Sequence, residues 1–174
     1  MTVPNALTAA RGLLVIPVIG LTAIGDASAA LVVFLAAAAT DAVDGPLARR
    51  RGGATTMGAA LDPLADKILV VGTLAALALA GIAPAWAVGL IFARELVAIE
   101  VRARSPRAVG ATADGKAKTV LQVAAIALLL ATAAWPAAGL APAANALLVA
   151  ATALTVLSGV RLVLRAKQTT ADPA

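Results

Sequence analysis

The chain contains no cysteine and no histidine, and only 2% of its 174 residues are aromatic. The absence of thiols excludes disulfide bonds and thiolate metal sites. The absence of imidazoles leaves metal binding and acid–base chemistry to carboxylates. Charged residues are also scarce, at 13%, about half of the roughly 25% found in soluble domains. Each charge that lies inside an apolar segment therefore needs an explanation.

Most of the chain consists instead of apolar residues. The chain is 61% hydrophobic, its mean hydropathy is +0.96, and a soluble domain is only about 45–50% apolar. The net charge is +5, but the basic residues flank apolar runs instead of forming a stripe, so we expect a lipid bilayer and no nucleic acid as partner.

Six apolar stretches are each compatible with the roughly 20 residues that a spanning helix needs. The sequence therefore predicts an all-α integral membrane protein with six transmembrane helices. The membrane domain is expected over residues 1–167, followed by a disordered tail at 168–174. The six predicted spans cover residues 7–24, 28–48, 58–80, 85–102, 118–135 and 141–163.

The basic residues alternate between connections. The second connection, the fourth connection and the C-terminal end are rich in Arg and Lys, whereas the first, third and fifth connections have none. Positive loops stay in the cytoplasm. This pattern predicts a multi-pass protein of the cytoplasmic membrane with both termini in the cytoplasm.

Four aspartates lie at the predicted cytoplasmic ends of spans two and three, although a charge inside a span costs roughly 2.5–3.5 kcal/mol. Asp41 and Asp44 are three residues apart, and Asp62 and Asp66 are four apart. Each pair therefore shares one face of a helix. The short connection makes the two helices antiparallel neighbours, so we expect all four carboxylates to converge in one cavity that faces the cytoplasm.

Carboxylates this close cannot all stay ionised without compensation. Oxygen-only ligands favour magnesium, manganese or calcium and disfavour zinc. Two such metals sharing carboxylates would polarise a phosphoryl group. Gly45, Ala48 and Gly58 continue the acidic faces, and their small side chains leave a slot for a base or a pyrophosphate.

The segment from Asp41 to Asp66 reads DAVDGPLARRRGGATTMGAALDPLAD. It resembles the signature of the CDP-alcohol phosphatidyltransferases, D-x-x-D-G-x-x-A-R, eight residues, then G-x-x-x-D-x-x-x-D. All eight fixed positions match: Asp41, Asp44, Gly45, Ala48, Arg49, Gly58, Asp62 and Asp66.

The resemblance implies a set of roles. Asp41, Asp44 and Asp62 would bind two divalent metals, Mg²⁺ or Mn²⁺, and Asp66 would help to hold one metal and act as the general base. The residues expected at the nucleotide of CDP-diacylglycerol are Asn5 and Thr8, which resemble the family's N-terminal segment, with Gly45, Ala48, Arg49 and Gly58. Family members are usually dimers, so we expect a homodimer.

Two further segments, Ala93-Arg94-Glu95 and residues 115–119 with Gln122, are similar to the bacterial phosphatidylglycerophosphate synthases of this family. They imply glycerol 3-phosphate as acceptor. Its phosphate needs a cationic pocket apart from the metals, and the candidates are Arg94, Lys116, Lys118 and Arg161. Arg94 lies near mid-span, where it needs a partner. Because Glu95 is adjacent, we expect it to point elsewhere on the helix and a carboxylate of another span to be the alternative partner of Arg94.

Other functions remain open at this point. Cardiolipin synthases and phosphatidylinositol-phosphate synthases share much of the pattern, so the same chemistry with another acceptor is the first alternative. A cation transporter also uses intramembrane aspartates, although it would place them near the midplane. The third alternative is a structural membrane protein whose aspartates pair with Arg49, Arg94 and Lys67.

Overall fold

The computed structural model describes residues 12–50, 56–104, 113–136 and 139–171, and it describes side chains over 12–40, 67–101, 117–136 and 139–168. From Val15 onwards these residues form six helices, as the sequence predicts for an all-α protein. They are α1 (Val15–Ala23), α2 (Ala27–Arg50), α3 (Thr56–Leu79), α4 (Ala85–Arg104), α5 (Ala113–Ala134) and α6 (Leu140–Ala171).

The last helix corrects the predicted end of the domain. Helix α6 is 32 residues long and continues to Ala171, so residues 168–171 are helical, and residues 172–174 lie outside the described chain. Arg165, Lys167 and Gln168 have straight side chains that lose little rotamer freedom in a helix. They carry the helix beyond the apolar stretch from which its end was predicted.

The helix ends follow from local chemistry. Asp26 caps α2, because its Oδ1 accepts the backbone N–H of Ala29 at 3.0 Å and the hydroxyl of Ser28 at 2.8 Å. These bonds satisfy a helix N-terminus that would otherwise lack acceptors. Gly25 and Gly81 follow α1 and α3 with φ values of 83° and 72°, a left-handed conformation that glycine adopts without a steric penalty.

The helices pack through small residues as well as large ones. Helix α5 contacts α2, α3 and α6, helix α4 contacts α3 and α6, and α1 contacts both α2 and α3. Small residues let helix backbones approach closely in lipid. At Gly72 of α3 an added Cβ would lie 2.6 Å from Cγ2 of Val15 in α1. The fully buried side chains include Ala30, Phe34, Ala37, Leu74, Leu77, Ala87, Ile91, Ala125, Ile126, Leu130, Leu148 and Ala151.

The outside of the helices is also apolar. Large apolar side chains such as Ile24, Val32, Leu79 and Val120 are more than two-thirds exposed. Helices that are apolar on every face need an apolar solvent or a buried position. Among the described residues, two segments are long and apolar enough to cross a membrane, Ala117–Ala134 and Leu140–Gln168, and two shorter apolar segments are Ala27–Thr40 and Lys67–Leu79. These features indicate a membrane protein.

Candidate functional site

The four aspartates lie on two continuous helices. Asp41 and Asp44 belong to α2, and Asp62 and Asp66 belong to α3. The helical spacing predicted for each pair is therefore present in the backbone. Their side chains lie outside the described set, together with those of Gly45, Ala48, Arg49, Gly58 and Lys116, and Asn5 and Thr8 precede the first described residue.

The two acidic helices share their neighbours, because α2 and α3 both pack against α1 and α5. They therefore lie in the same part of the bundle. Among the side chains that the structure describes, no three acidic groups meet to form a metal site, and the four aspartates are outside that set. A donor set made only of carboxylates, in a chain without histidine or cysteine, fits hard divalent cations.

A second polar region lies where α3, α4, α5 and α6 meet, and Glu95 is at its centre. Its Oε1 accepts hydrogen bonds from Nη1 of Arg94, at 3.0 Å, and from Nζ of Lys118. Its Oε2 lies 2.5 Å from Nζ of Lys67. Three cations from three helices thus surround one carboxylate. We call these four side chains the basic cluster.

The basic cluster is buried. The side chains of Glu95 and Lys118 are 8% exposed, that of Arg94 is 10% exposed and that of Lys67 is 19% exposed. Three cations against one carboxylate leave two formal positive charges within the cluster. Taking charges out of water costs several kcal/mol per ion unless partners compensate them. Among the described side chains, this excess of buried positive charge is suited to binding an anion.

Helix α6 holds Arg94 in place. Nη2 of Arg94 donates to Oγ of Ser158 at 3.1 Å, and Ser158 in turn donates to the carbonyl of Thr155 at 2.9 Å. The stem of Arg94 lies against Gly159, where an added Cβ would be 2.8 Å from Cγ of the arginine. Glycine is thus required here for a close approach and not for its backbone freedom.

A small cavity opens beside the basic cluster, with a volume of about 30 Å³, lined by Lys67, Val70, Val71, Glu95, Lys118, Thr119 and Gln122. Gln122 donates from Nε2 to Oγ1 of Thr155 at 3.0 Å, which ties α5 to α6 next to the cavity. Within the described part of the chain, three atoms of the cluster are buried without a hydrogen bond: Nζ of Lys67, Nε of Arg94 and Oε2 of Glu95. The contact between Lys67 and Glu95 is thus an ion pair without hydrogen-bond geometry, and the cluster has unused hydrogen-bonding capacity.

The structure brings together two of the four residues predicted to bind the acceptor phosphate. Arg94 and Lys118 meet at Glu95. Arg161 lies on α6, three residues after Ser158, with an exposed side chain, and the side chain of Lys116 is outside the described set. The structure thus brings two of the four candidates together, and the acceptor-binding role of all four stays a prediction.

The expectation that Glu95 points away from Arg94 is wrong. The arginine side chain is long enough to curve back to its neighbour in sequence, and its partner is a carboxylate of its own helix. Lys67 also pairs with Glu95, whereas the aspartates that the structural-protein alternative pairs with it lie outside the described side chains. The central position of Glu95 and the supporting contacts of Ser158 and Gly159 are not predicted from the sequence. A carboxylate in the middle of an apolar helix was the available signal for Glu95.

Residues 1–157 match the sequence profile of the CDP-alcohol phosphatidyltransferases. A probable phosphatidylglycerophosphate synthase of Mycobacterium tuberculosis H37Rv is 40% identical over 171 residues, which cover 93% of this chain and 80% of that protein. The CDP-diacylglycerol–glycerol-3-phosphate 3-phosphatidyltransferase of Bacillus subtilis is 37% identical over 73% and 75% of the two chains. A probable CMP-forming cardiolipin synthase of Drosophila melanogaster is 36% identical over 55% of this chain and 30% of its own.

Proposed function

This chain belongs to the CDP-alcohol phosphatidyltransferase family, and we propose that it transfers the phosphatidyl group of CDP-diacylglycerol to glycerol 3-phosphate, releasing CMP. Phosphatidylglycerophosphate is then its product in phospholipid biosynthesis. The two bacterial relatives named for this activity match most of the chain, whereas the cardiolipin synthase matches a smaller share. Membership in an enzyme family sets aside the transporter and structural-protein alternatives.

The observation that carries the choice of acceptor is the basic cluster. Glycerol 3-phosphate carries close to two negative charges near neutral pH, since the second pKa of a phosphate monoester is about 6. Arg94 and Lys118 are buried cations with a surplus of charge around them. Arginine grips a phosphate with two parallel hydrogen bonds, and lysine adds a point charge. An acceptor without a terminal phosphate would leave these cations uncompensated.

The four aspartates act at the phosphoryl group that is transferred. Two divalent ions held by Asp41, Asp44, Asp62 and Asp66 would polarise the phosphoryl group and neutralise the leaving CMP. Asp66 takes the proton from the attacking hydroxyl of the acceptor, as a general base. The hydroxyl oxygen forms a new bond to the β-phosphorus, and the bond between that phosphorus and the oxygen of CMP breaks.

The remaining site residues have supporting roles in this proposal. The nucleotide contacts are Asn5 and Thr8 of the N-terminal segment, with Gly45, Ala48, Arg49 and Gly58 of the signature. Lys116 and Arg161 add positive charge on the acceptor side. Mg²⁺ or Mn²⁺ is the expected metal, and the active form is a homodimer.

The proposal places the chain in the cytoplasmic membrane with six spans, both termini in the cytoplasm and the active site facing the cytoplasm. It rests on the alternation of basic connections. Because the chain has no cysteine, a single cysteine in place of Gln168 reports one position. A membrane-impermeant maleimide should label it only in inverted vesicles. Labelling from outside intact cells would show that the C-terminal end of the chain lies outside the cytoplasm, contrary to the proposal.

The acceptor is tested with purified protein, CDP-diacylglycerol and magnesium. We expect CMP release to be fastest with glycerol 3-phosphate, compared with inositol 3-phosphate, serine and phosphatidylglycerol. Preference for inositol 3-phosphate or phosphatidylglycerol would instead establish the same chemistry with another acceptor.

Variants of the basic cluster test the pocket. Arg94→Gln and Lys118→Gln should each raise the Michaelis constant for glycerol 3-phosphate at least about tenfold, because a charged hydrogen bond contributes roughly 1.5–3 kcal/mol. The constant for CDP-diacylglycerol should stay within about twofold. Lys167→Gln, on the exposed end of α6, is the matched control. If Arg94 had only a structural role, Arg94→Gln would lower the melting temperature and change the Michaelis constants of both substrates alike.

A further inference from the structure

The two oxygens of Glu95 have different partners. Oε1 is shared by Arg94 and Lys118, the two cations assigned above to the acceptor phosphate. Among the described side chains, Oε2 contacts only Lys67, at 2.5 Å. The carboxylate therefore binds both of the cations that the phosphate needs, and a third cation lies on its other side.

The cavity beside the cluster has a volume of about 30 Å³, and Lys67, Glu95 and Lys118 line it. A phosphate at the cluster would compete with Oε1 for Nη1 of Arg94 and for Nζ of Lys118. Nη2 of Arg94 donates to Ser158, and this bond keeps the guanidinium at the cluster when the partner of Nη1 changes.

We propose that Glu95 is an exchangeable counter-ion that determines acceptor affinity: it holds Arg94 and Lys118 when no acceptor is bound and releases both to the acceptor phosphate, while Lys67 stays with its carboxylate. This role rests on the proposed function of the basic cluster. Glu95 is a positioning residue, because it acts on the acceptor through the cations that it orients and releases.

Charge balance supports this division of roles. Without the acceptor, three cations face one carboxylate, and among the described side chains two positive charges have no counter-ion. A dianionic phosphate on Arg94 and Lys118, with Lys67 on Glu95, brings the formal charge of the cluster to zero. Without Lys67, a bare carboxylate would lie beside the incoming phosphate, and like charges in a dry site repel strongly. Lys67 thus aids acceptor binding without touching the acceptor.

Three variants separate this mechanism from its rivals. Glu95→Gln removes the competitor, so the Michaelis constant for glycerol 3-phosphate should fall by about tenfold, the equivalent of roughly 1.4 kcal/mol. Lys67→Gln leaves Glu95 with only the acceptor's cations, so that constant should rise by about tenfold by the same conversion. The double variant should return to the wild-type value or below it, because the missing lysine matters only while Glu95 is present.

The double variant also guards against misfolding. Glu95→Gln alone leaves three buried cations without a carboxylate, and breaking a buried ion pair by removing one partner is strongly destabilising. The double variant has two cations and no carboxylate, hence the same formal charge as the wild type. Glu100→Gln, an exposed position on the same helix, is the matched control and should leave the acceptor constant unchanged.

A second measurement needs no turnover. Inorganic phosphate should raise the melting temperature of the double variant at least as much as that of the wild type, and that of Lys67→Gln much less. If the double variant has the same raised acceptor constant and the same weak phosphate stabilisation as Lys67→Gln, the proposed counter-ion exchange is wrong. Lys67 would then be a direct ligand of the phosphate. If Glu95→Gln is folded but has a higher acceptor constant than the wild type, Glu95 has only a structural role.

Failure of the proposed function has a different signature. In that case the wild type shows no CMP release that depends on glycerol 3-phosphate, or Arg94→Gln and Lys118→Gln leave the acceptor constant unchanged. The counter-ion exchange is wrong and the proposed function still holds in a second case. There, Arg94→Gln and Lys118→Gln raise the acceptor constant as expected, but adding Glu95→Gln to Lys67→Gln does not lower that constant again.

Discussion

Helix α3 connects two regions of opposite character. Asp62 and Asp66 belong to the acidic region that it shares with α2, and the next residue, Lys67, belongs to the basic cluster that it shares with α4, α5 and α6. Consecutive residues point about 100° apart around a helix. One helix therefore carries two residues of the predicted metal site and, directly after them, a lysine of the basic cluster. The first region suits metal cations, and the second suits an anion.

The difference separates the shared chemistry from the choice of substrate. The acidic region matches the signature of a family whose members use different alcohols, so it has to serve only the steps that they share. In our proposal, the basic cluster serves an acceptor that has its own phosphate. Substitutions in the first region should act on turnover, and substitutions around the second should act on acceptor affinity.

The largest effect is expected from the metal ligands. Asp41→Asn, Asp44→Asn and Asp62→Asn should each reduce turnover to background, because asparagine has a similar size but weakens the hold on a divalent cation. Circular dichroism and melting temperature should stay close to those of the wild type. Excess EDTA should inhibit the wild type, and magnesium or manganese should restore it. Asp26→Asn, in a connection outside both regions, is the control, and full activity in EDTA would rule out the two-metal proposal.

A smaller loss is expected at Asp66. A positioned general base contributes roughly 10²–10⁴-fold to a rate, so Asp66→Asn should lower the catalytic rate within that range and retain much of the affinity for CDP-diacylglycerol. Binding of the CDP-lipid is measured by titration and compared with that of Asp41→Asn. An equally complete loss of nucleotide affinity in both variants would leave Asp66 as a metal ligand only.

A change beside the basic cluster should act on affinity alone. Gly159→Ala places a methyl group 2.8 Å from the stem of Arg94, so the guanidinium must shift away from Ser158. We expect the Michaelis constant for glycerol 3-phosphate to rise several-fold while the catalytic rate changes little. Gly89→Ala on α4 adds the same methyl group where no described atom of another helix lies within 4 Å. Equal behaviour of the two variants would show that Arg94 tolerates displacement.

The smallest effect is expected outside both regions. The backbone N–H of Ala29 and the hydroxyl of Ser28 hold the pKa of Asp26 below its ordinary value. A lowered pKa contributes stability above the unfolded-state pKa, and that stability is lost as the pH falls through the folded-state value. Asp26→Ala should therefore melt slightly below the wild type at pH 7, and the gap should shrink in acid. A gap that is constant with pH would assign the whole effect to neutral capping.

Local patterns explain which features were predictable. Spans of about 20 apolar residues and aspartates three or four residues apart are properties of single helices, so the sequence predicts the helices and the spacing of the aspartates. The basic cluster joins Lys67, Glu95 and Lys118 from three helices, and such a meeting depends on tertiary packing that no local pattern encodes. The end of α6 was misplaced because hydropathy marks where a helix leaves lipid and not where it stops.

The long final helix α6 also offers a position for a rigid fusion to a second protein. At 1.5 Å per residue, 32 residues extend about 48 Å, whereas the hydrocarbon core of a bilayer is about 30 Å thick. With the proposed topology, the last turns of α6 project from the cytoplasmic face as a rigid rod. A soluble helical protein joined in register after Ala171 would keep a fixed orientation. It would give this 17.0 kDa chain the external mass that particle alignment in electron cryomicroscopy requires.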